Sequence, residues 1–234
     1  MTTEQMIEVD RLMMEDYNIE LIQMMENAGR CLAIVAKEKF LKGKKKNSKV
    51  VVLAGTGGNG GGAMVCARRL FAWGFDVEVF VTNQSKMTPV PDHQMKILKR
   101  MGVPVKDPSG LGGVTKPGLI IDGVIGYSIT GDPIGTAGEM IAWANQSEAK
   151  VLSLDTPSGI NLTTGTIYSP AIKAAATLTL ALPKRGLYDE KVKSFRGRLF
   201  LGDISVPPSL YSESSLNLEV TSKLFSRGDI VSID

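Results

Sequence analysis

Apolar positions along this chain alternate between two periods. Near the start, Met6, Val9 and Met13 recur at helical spacing behind Thr2 and Gln5, a pair spaced as a capping box. A second helix is expected from about Ile19, with Met25, Ala28, Leu32 and Val35 on one face. "SKVVVLAG" is then a short β-branched run with no alternation, as a strand buried on both faces requires. Helical spacing returns from Asn59 to Trp73 and stops at Gly74, a residue suited to a left-handed cap. "FDVEVFVTN" predicts a second strand, and "HQMKILKRMG" a helix with Met95, Leu98 and Met101 on its inner face. "GLIIDGVIG" and "AKVLSLDTPSG" predict two more strands, separated by a helix around residues 139–145. "AATLTLALP" and "GRLFLGDISV" supply later strands. This β-α-β order, behind two leading helices, predicts an α/β fold: a doubly wound, Rossmann-like, mostly parallel sheet with helices on both faces.

Composition narrows the class without changing that outline. The 234 residues are expected to form a single domain over 1–234, and 43% hydrophobic with 22% charged residues is ordinary for a soluble globular chain. No apolar stretch reaches spanning length and the start does not read as a secretory signal, so a cytoplasmic location with no membrane association is expected. Cys31 and Cys66 both fall inside predicted helices, which fits a reduced compartment and not a disulfide framework. The net charge of +3 is small, and its one cluster, "KGKKKN" at 42–47, reads as a solvated loop; nucleic acid is not the expected partner.

Candidate chemistry gathers where strands end. Three glycine-rich loops leave predicted strands: "GTGGNGGG", "DGVIGYSITGD" and "DTPSGINLTTG". In a doubly wound sheet the ligand crevice lies at those carboxyl ends. The first loop contains G-x-G-x-x-G at Gly55, Gly57 and Gly60, and bare backbone there admits a phosphate against a helix N-terminus. A plain nicotinamide dehydrogenase is disfavoured, because the second strand ends in Thr82 and Asn83 and not in a ribose-binding carboxylate. The Lys-Ser/Thr pair of a nucleotide-hydrolysing loop is missing as well. His93 is the sole histidine and sits beside two prolines, which excludes histidine-dependent triads and zinc clusters. Ser158 lies in "PSG", not in a nucleophile elbow. What remains is Asp122 and Asp155 at strand exits among hydroxyls and amides, a set suited to a hard cation and to proton transfer.

Those loops carry a resemblance to a known family over nearly the whole chain. "MIEVDRLMMEDYNIELIQMMENAGR", with M-E-N-A-G at Met25 to Gly29, is similar to the leading helices of the NAD(P)HX epimerases, or YjeF N-terminal domain. "GTGGNGGGAMVCARRL", "IIDGVIGYSITGD" and "LDTPSGINLTTG" resemble the family's three loops, and "TLTLALPKRGL" its late strand ending in Lys184 and Gly186. The resemblance implies an isomerase of nicotinamide nucleotide repair that interconverts the R and S forms of NADHX or NADPHX. It implies a potassium ion at Asn59, Asp122 and Ser158. Substrate contacts are implied at Gly58, Asn59, Gly60 and Gly61, at Gly126, Tyr127, Ser128, Ile129, Thr130, Gly131 and Asp132, and at Asp155. It also implies a homodimer and functional coupling to a separate dehydratase. Inverting the hydrated ring carbon requires a group that gives and retakes a proton, and Asp155 is the expected catalytic residue. The loop departs from the family's usual N-N-G-G-D-G by having Gly58 and Gly62. That departure leaves a second reading open, a non-catalytic nucleotide-binding module of the same fold.

Overall fold

The computed structural model describes residues 1–43 and 48–234, so most of the basic cluster at 42–47 lies outside the described residues. Helix α1 spans Thr3–Glu15 and is closed by the expected capping box: the Gln5 backbone N–H donates to Thr2 Oγ1, and the Thr2 N–H to Gln5 Oε1. Helix α2 spans Leu21–Val35, two residues later than its apolar pattern suggested, because Glu20 and Gln23 form a second capping box. A π-helical turn over Ala36–Leu41 continues it toward the first strand.

Eight strands then form one sheet. They are β1 Val50–Ala54, β2 Val77–Val81, β3 Val105–Lys106, β4 Leu119–Gly123, β5 Val151–Leu154, β6 Ala176–Leu180, β7 Arg198–Gly202 and β8 Ile230–Ser232. Their spatial order is β3-β2-β1-β4-β5-β6-β7-β8. All pairings are parallel except β7 with β8. The order reverses between β1 and β4, which places a topological switch point at the carboxyl ends of those two strands. Helices α3 Gly58–Ala72, α4 Pro89–Arg100 and α5 Gly135–Gln146 complete the crossovers, with a short α6 at Lys193–Arg196. The start of α4 takes in both prolines, so His93 is an exposed residue inside the helix.

The strand pattern sorts residues to two cores. Val50, Val52 and Ala54 of β1 join α1, α2 and α3, whereas Val51 and Leu53 point to the opposite face with Met140, Ile141 and Ala144 of α5. The leading-helix stripe of Met6, Val9, Met13, Met25, Ala28 and Leu32 is buried in this packing. Helix α2 lies very close to α3, since a Cβ on Gly29 would stand 2.4 Å from Val65 Cβ and 2.5 Å from the Gly62 carbonyl oxygen. Packing at that distance brings α1 and α2 over the carboxyl ends of the strands, where they form one wall of a cavity.

Candidate functional site

The three glycine-rich loops meet at the switch point. The Gly55 N–H donates to the Gly123 carbonyl at 2.9 Å, joining the first loop to the second. Asn59 Nδ2 donates to the Leu154 carbonyl at 2.8 Å, joining the first to the third. Most glycines of the first loop serve this close packing. A Cβ on Gly55 would lie 2.0 Å from the Val124 oxygen, one on Gly60 2.0 Å from the Gly55 oxygen, and one on Gly61 2.5 Å from Met25 Sδ. Gly57 and Gly58 are different: nothing stands within 4 Å of a Cβ at either position. Backbone exposed to a ligand is therefore concentrated at Gly57 and Gly58, at the start of α3.

Asp122 is the penultimate residue of β4 and is wholly buried. Ser158 Oγ donates to its Oδ1 at 2.6 Å, and the Val124 N–H to the same oxygen at 3.2 Å. Oδ2 accepts from Ser153 Oγ at 2.7 Å and from the Ser158 N–H at 2.9 Å. Burial pushes the Asp122 carboxyl above the usual carboxylate range against those donors, and no salt bridge reaches it among the described residues. The Ile125 N–H in turn donates to Ser158 Oγ at 2.8 Å, so Asp122 and Ser158 lock the second loop onto the third. Asn59 stands beside them without bonding to either: a Cβ on Gly126 would lie 2.9 Å from Asn59 Oδ1.

Asp155 does leave its strand end toward the cavity. Its backbone is left-handed at φ 61°, a conformation costly for a residue with a Cβ and concentrated at functional sites. The turn aims its carboxylate across the sheet at the end of β6. Oδ1 accepts from Lys184 Nζ at 2.6 Å, Thr179 Oγ1 at 3.2 Å and the Leu180 N–H at 3.3 Å. Lys184 is fully buried at 0% exposure and also donates to the Leu180 carbonyl at 2.7 Å. Asp155 Oδ2 accepts no hydrogen bond among the described residues, and Asp155 lines the cavity.

That cavity holds about 420 Å³. Gly57, Gly58, Asn59, Gly126, Tyr127 and Ser128 form its loop side, Asp155 and Lys184 its floor, and Met6, Met24 and Met25 its helical wall. Asp10 of α1 also lines it and accepts a hydrogen bond from Tyr127 Oη at 2.9 Å. Burial raises the Asp10 carboxyl to about 6, with neighbouring Asp155 adding to the rise and Tyr127 and Lys184 opposing it. Burial likewise pushes the Tyr127 phenol above its ordinary range, helped by Asp10.

The expected site residues therefore divide. Gly58, Asn59, Gly60, Gly126, Tyr127, Ser128 and Asp155 line the cavity. Gly61 is covered by Met25, and Ile129 is buried. Thr130, Gly131 and Asp132 continue the second loop beyond the cavity lining, with Asp132 accepting from the Ser169 N–H at 2.9 Å. Asp122 and Ser158 sit behind the lining as a second layer. Asp10, Thr179 and the buried pairing of Lys184 had no separate signal in the sequence, because each depends on which elements pack together.

The family model described as YjeF-related protein N-terminus matches residues 21–186, the stretch that holds β1–β6, all three loops and the Asp155–Lys184 pair. The chain belongs to this family. A relative from Dehalogenimonas lykanthroporepellens, named NAD(P)H-hydrate epimerase, is 37% identical over 92% of this chain and 85% of its own. Another from Entamoeba histolytica, with the same name, is 31% identical over 93% of both chains. The bifunctional NAD(P)H-hydrate repair enzyme Nnr of Moorella thermoacetica is 29% identical over 98% of this chain, which spans 44% of that longer protein. The crystal structure of the yeast protein ynu0 shares the fold, with a TM-score of 0.85 at 24% identity over 99% of this chain and 98% of its own.

Proposed function

We propose that this chain is an NAD(P)H-hydrate epimerase, interconverting the R and S forms of NADHX and NADPHX in nicotinamide nucleotide repair. The observation that carries the reading is the Asp155–Lys184 pair on the floor of a cavity whose rim is the bare backbone of Gly57 and Gly58. Amide N–H groups at the start of α3 suit the substrate's phosphates. The hydrated ring carbon bears a hydroxyl and the ring nitrogen. As that hydroxyl takes a proton, its C–O bond breaks, the nitrogen lone pair forms a C=N bond, and water departs. Water then adds to the opposite face, gives up a proton, and the electron pair returns to nitrogen. In this reading Asp155 Oδ2 exchanges that proton, while Lys184, Thr179 and the Leu180 N–H hold Oδ1. The methionine wall excludes bulk water from the cation formed midway.

Potassium fits the second layer. Asn59, Asp122 and Ser158 offer hard oxygen atoms, and Asp122 is a buried carboxylate with no basic partner among the described residues. The ion would supply positive charge behind the loops and order their backbone. A homodimer through α1 is supported by Ile7 and Met14, two apolar side chains seven residues apart that are 52% and 38% exposed. Coupling to a dehydratase is supported by relatives in which a related segment forms part of a bifunctional repair enzyme. No helix among the described residues is long and apolar enough to cross a membrane.

The reading is tested by mixing both hydrate epimers with a dehydratase that consumes one of them. Adding this chain should let the dehydratase exhaust both forms. If half the substrate persists while the chain still binds the nucleotide, the non-catalytic module is the correct reading, with Gly62 the first residue to examine.

A further inference from the structure

Inversion by loss and return of water needs proton exchange on both faces of the ring. Asp155 serves one face only, because its backbone turn and the three donors on Oδ1 fix it to the sheet side of the cavity. The helical wall opposite is almost wholly apolar, with Met6, Leu21, Met24, Met25 and Ala28 along it. One carboxyl interrupts it. Asp10 stands on α1, takes its hydrogen bond from Tyr127 on Oδ2, and makes no salt bridge with Lys184 among the described residues.

We propose that Asp10 is the second catalytic residue of the epimerisation, exchanging a proton with the hydroxyl on the α1 side while Asp155 does so on the sheet side. This rests on the epimerase reading above. In one direction the Asp10 carboxylic acid protonates the ring hydroxyl, the C–O bond breaks, and the nitrogen pair forms the C=N bond. Water attacks from the sheet side as Asp155 takes its proton and the pair returns to nitrogen. The reverse reaction exchanges the two roles, and free enzyme resets by passing the proton from Asp155 to Asp10 through water in the emptied cavity. No oxidant or reductant is needed. The two carboxyls sit in different settings: Asp155 accepts from Lys184 on Oδ1, while Asp10, with no salt bridge among the described residues, retains a proton up to about pH 6. Tyr127, Lys184 and Asp155 are the titratable groups that face it.

The test compares wild type, Asp10→Asn and Tyr127→Phe, starting from each pure epimer across pH 5 to 9. Asp10→Asn keeps an acceptor for Tyr127 and should lose about 10²-fold or more in kcat in both directions, with KM within about threefold. Wild-type kcat/KM should show a limb near pH 6 that is absent in Asp10→Asn. In Tyr127→Phe the limb should persist and move to higher pH, because a donor to the carboxylate has been removed. Asp10→Asn as active as wild type, with the limb intact, overturns this proposal and leaves the epimerase reading standing. Wild type no faster than the uncatalysed background overturns both.

Discussion

A carboxyl held at a raised pKa costs stability wherever it must ionise, and for Asp10 the cost can be worked out. Its proton affinity rises from the ordinary 3.8 to about 6 on folding, mainly through burial. The folded state therefore binds the proton more tightly than the unfolded chain does. Below about pH 3 both states are protonated and Asp10 costs nothing. Between about pH 3 and 6 the unfolded chain ionises first and stability falls, and above about pH 6 the loss is complete. At about 1.4 kcal/mol per tenfold in affinity, the full loss is about 3 kcal/mol. Water in the cavity screens it, to on the order of 2 kcal/mol. Asp10→Asn has no charge to bury and keeps an acceptor for Tyr127. It should therefore be more stable than wild type at pH 8, by about 4–8 °C in Tm for a chain of this size. At pH 3 the two should melt together. Calorimetric melts at both pH values decide the matter. An advantage equal at both, or a variant less stable at pH 8, would show that Asp10 is not a carboxyl strained by burial.

Further outcomes follow from other parts of the site. Lys184→Met strands the Asp155 carboxylate in a buried setting and should cost about 3–5 kcal/mol in urea unfolding; a loss under about 1 kcal/mol would mean the pair is not buried as described. Gly60→Ala should destabilise the fold itself, because its Cβ would meet the Gly55 oxygen, whereas Gly58→Ala should fold normally and weaken nucleotide binding. Circular dichroism melts and titration calorimetry separate the two, and equal affinity for Gly58→Ala and wild type would remove this loop from the phosphate site. Exchanging potassium for tetramethylammonium at constant ionic strength should lower the Tm of wild type but not of Asp122→Asn, and no response in wild type would exclude the cation.

Much of the fold was legible because each long element carries its own period. The β-branched run of β1 and the stripe of α2 announce themselves, and their order implies the sheet. Strands β3 and β8 were missed because Val105–Lys106 and Ile230–Ser232 are too short to show a period, and each forms only by pairing with a neighbour. The loops and Asp155 were visible as motifs at strand ends. The full burial of Asp122 was not legible, since a carboxylate at a strand end looks the same in sequence whether its donors come from water or from Ser153 and Ser158. Lys184 was visible only as part of a family motif, and its burial against Asp155 depends on which elements pack together. Asp10 looks like the solvated edge of an amphipathic helix, and only the packing of α1 over the strand ends turns it inward. Asp203, in the stretch read as a late strand, instead accepts from the Ser205 N–H after β7.

The central claim is that the Asp155 carboxylate, fixed by Lys184 at the strand end, exchanges the proton that inverts the hydrated ring carbon. The most direct measurement starts from one pure NADHX epimer and follows the other by chromatography, with wild type, Asp155→Asn and no protein side by side. Wild type should equilibrate the epimers well ahead of the uncatalysed reaction, and Asp155→Asn should be slower by about 10²-fold or more while still binding nucleotide. Equal rates for wild type and Asp155→Asn would contradict the assignment of that carboxylate, and a wild type no faster than the blank would contradict the epimerase itself.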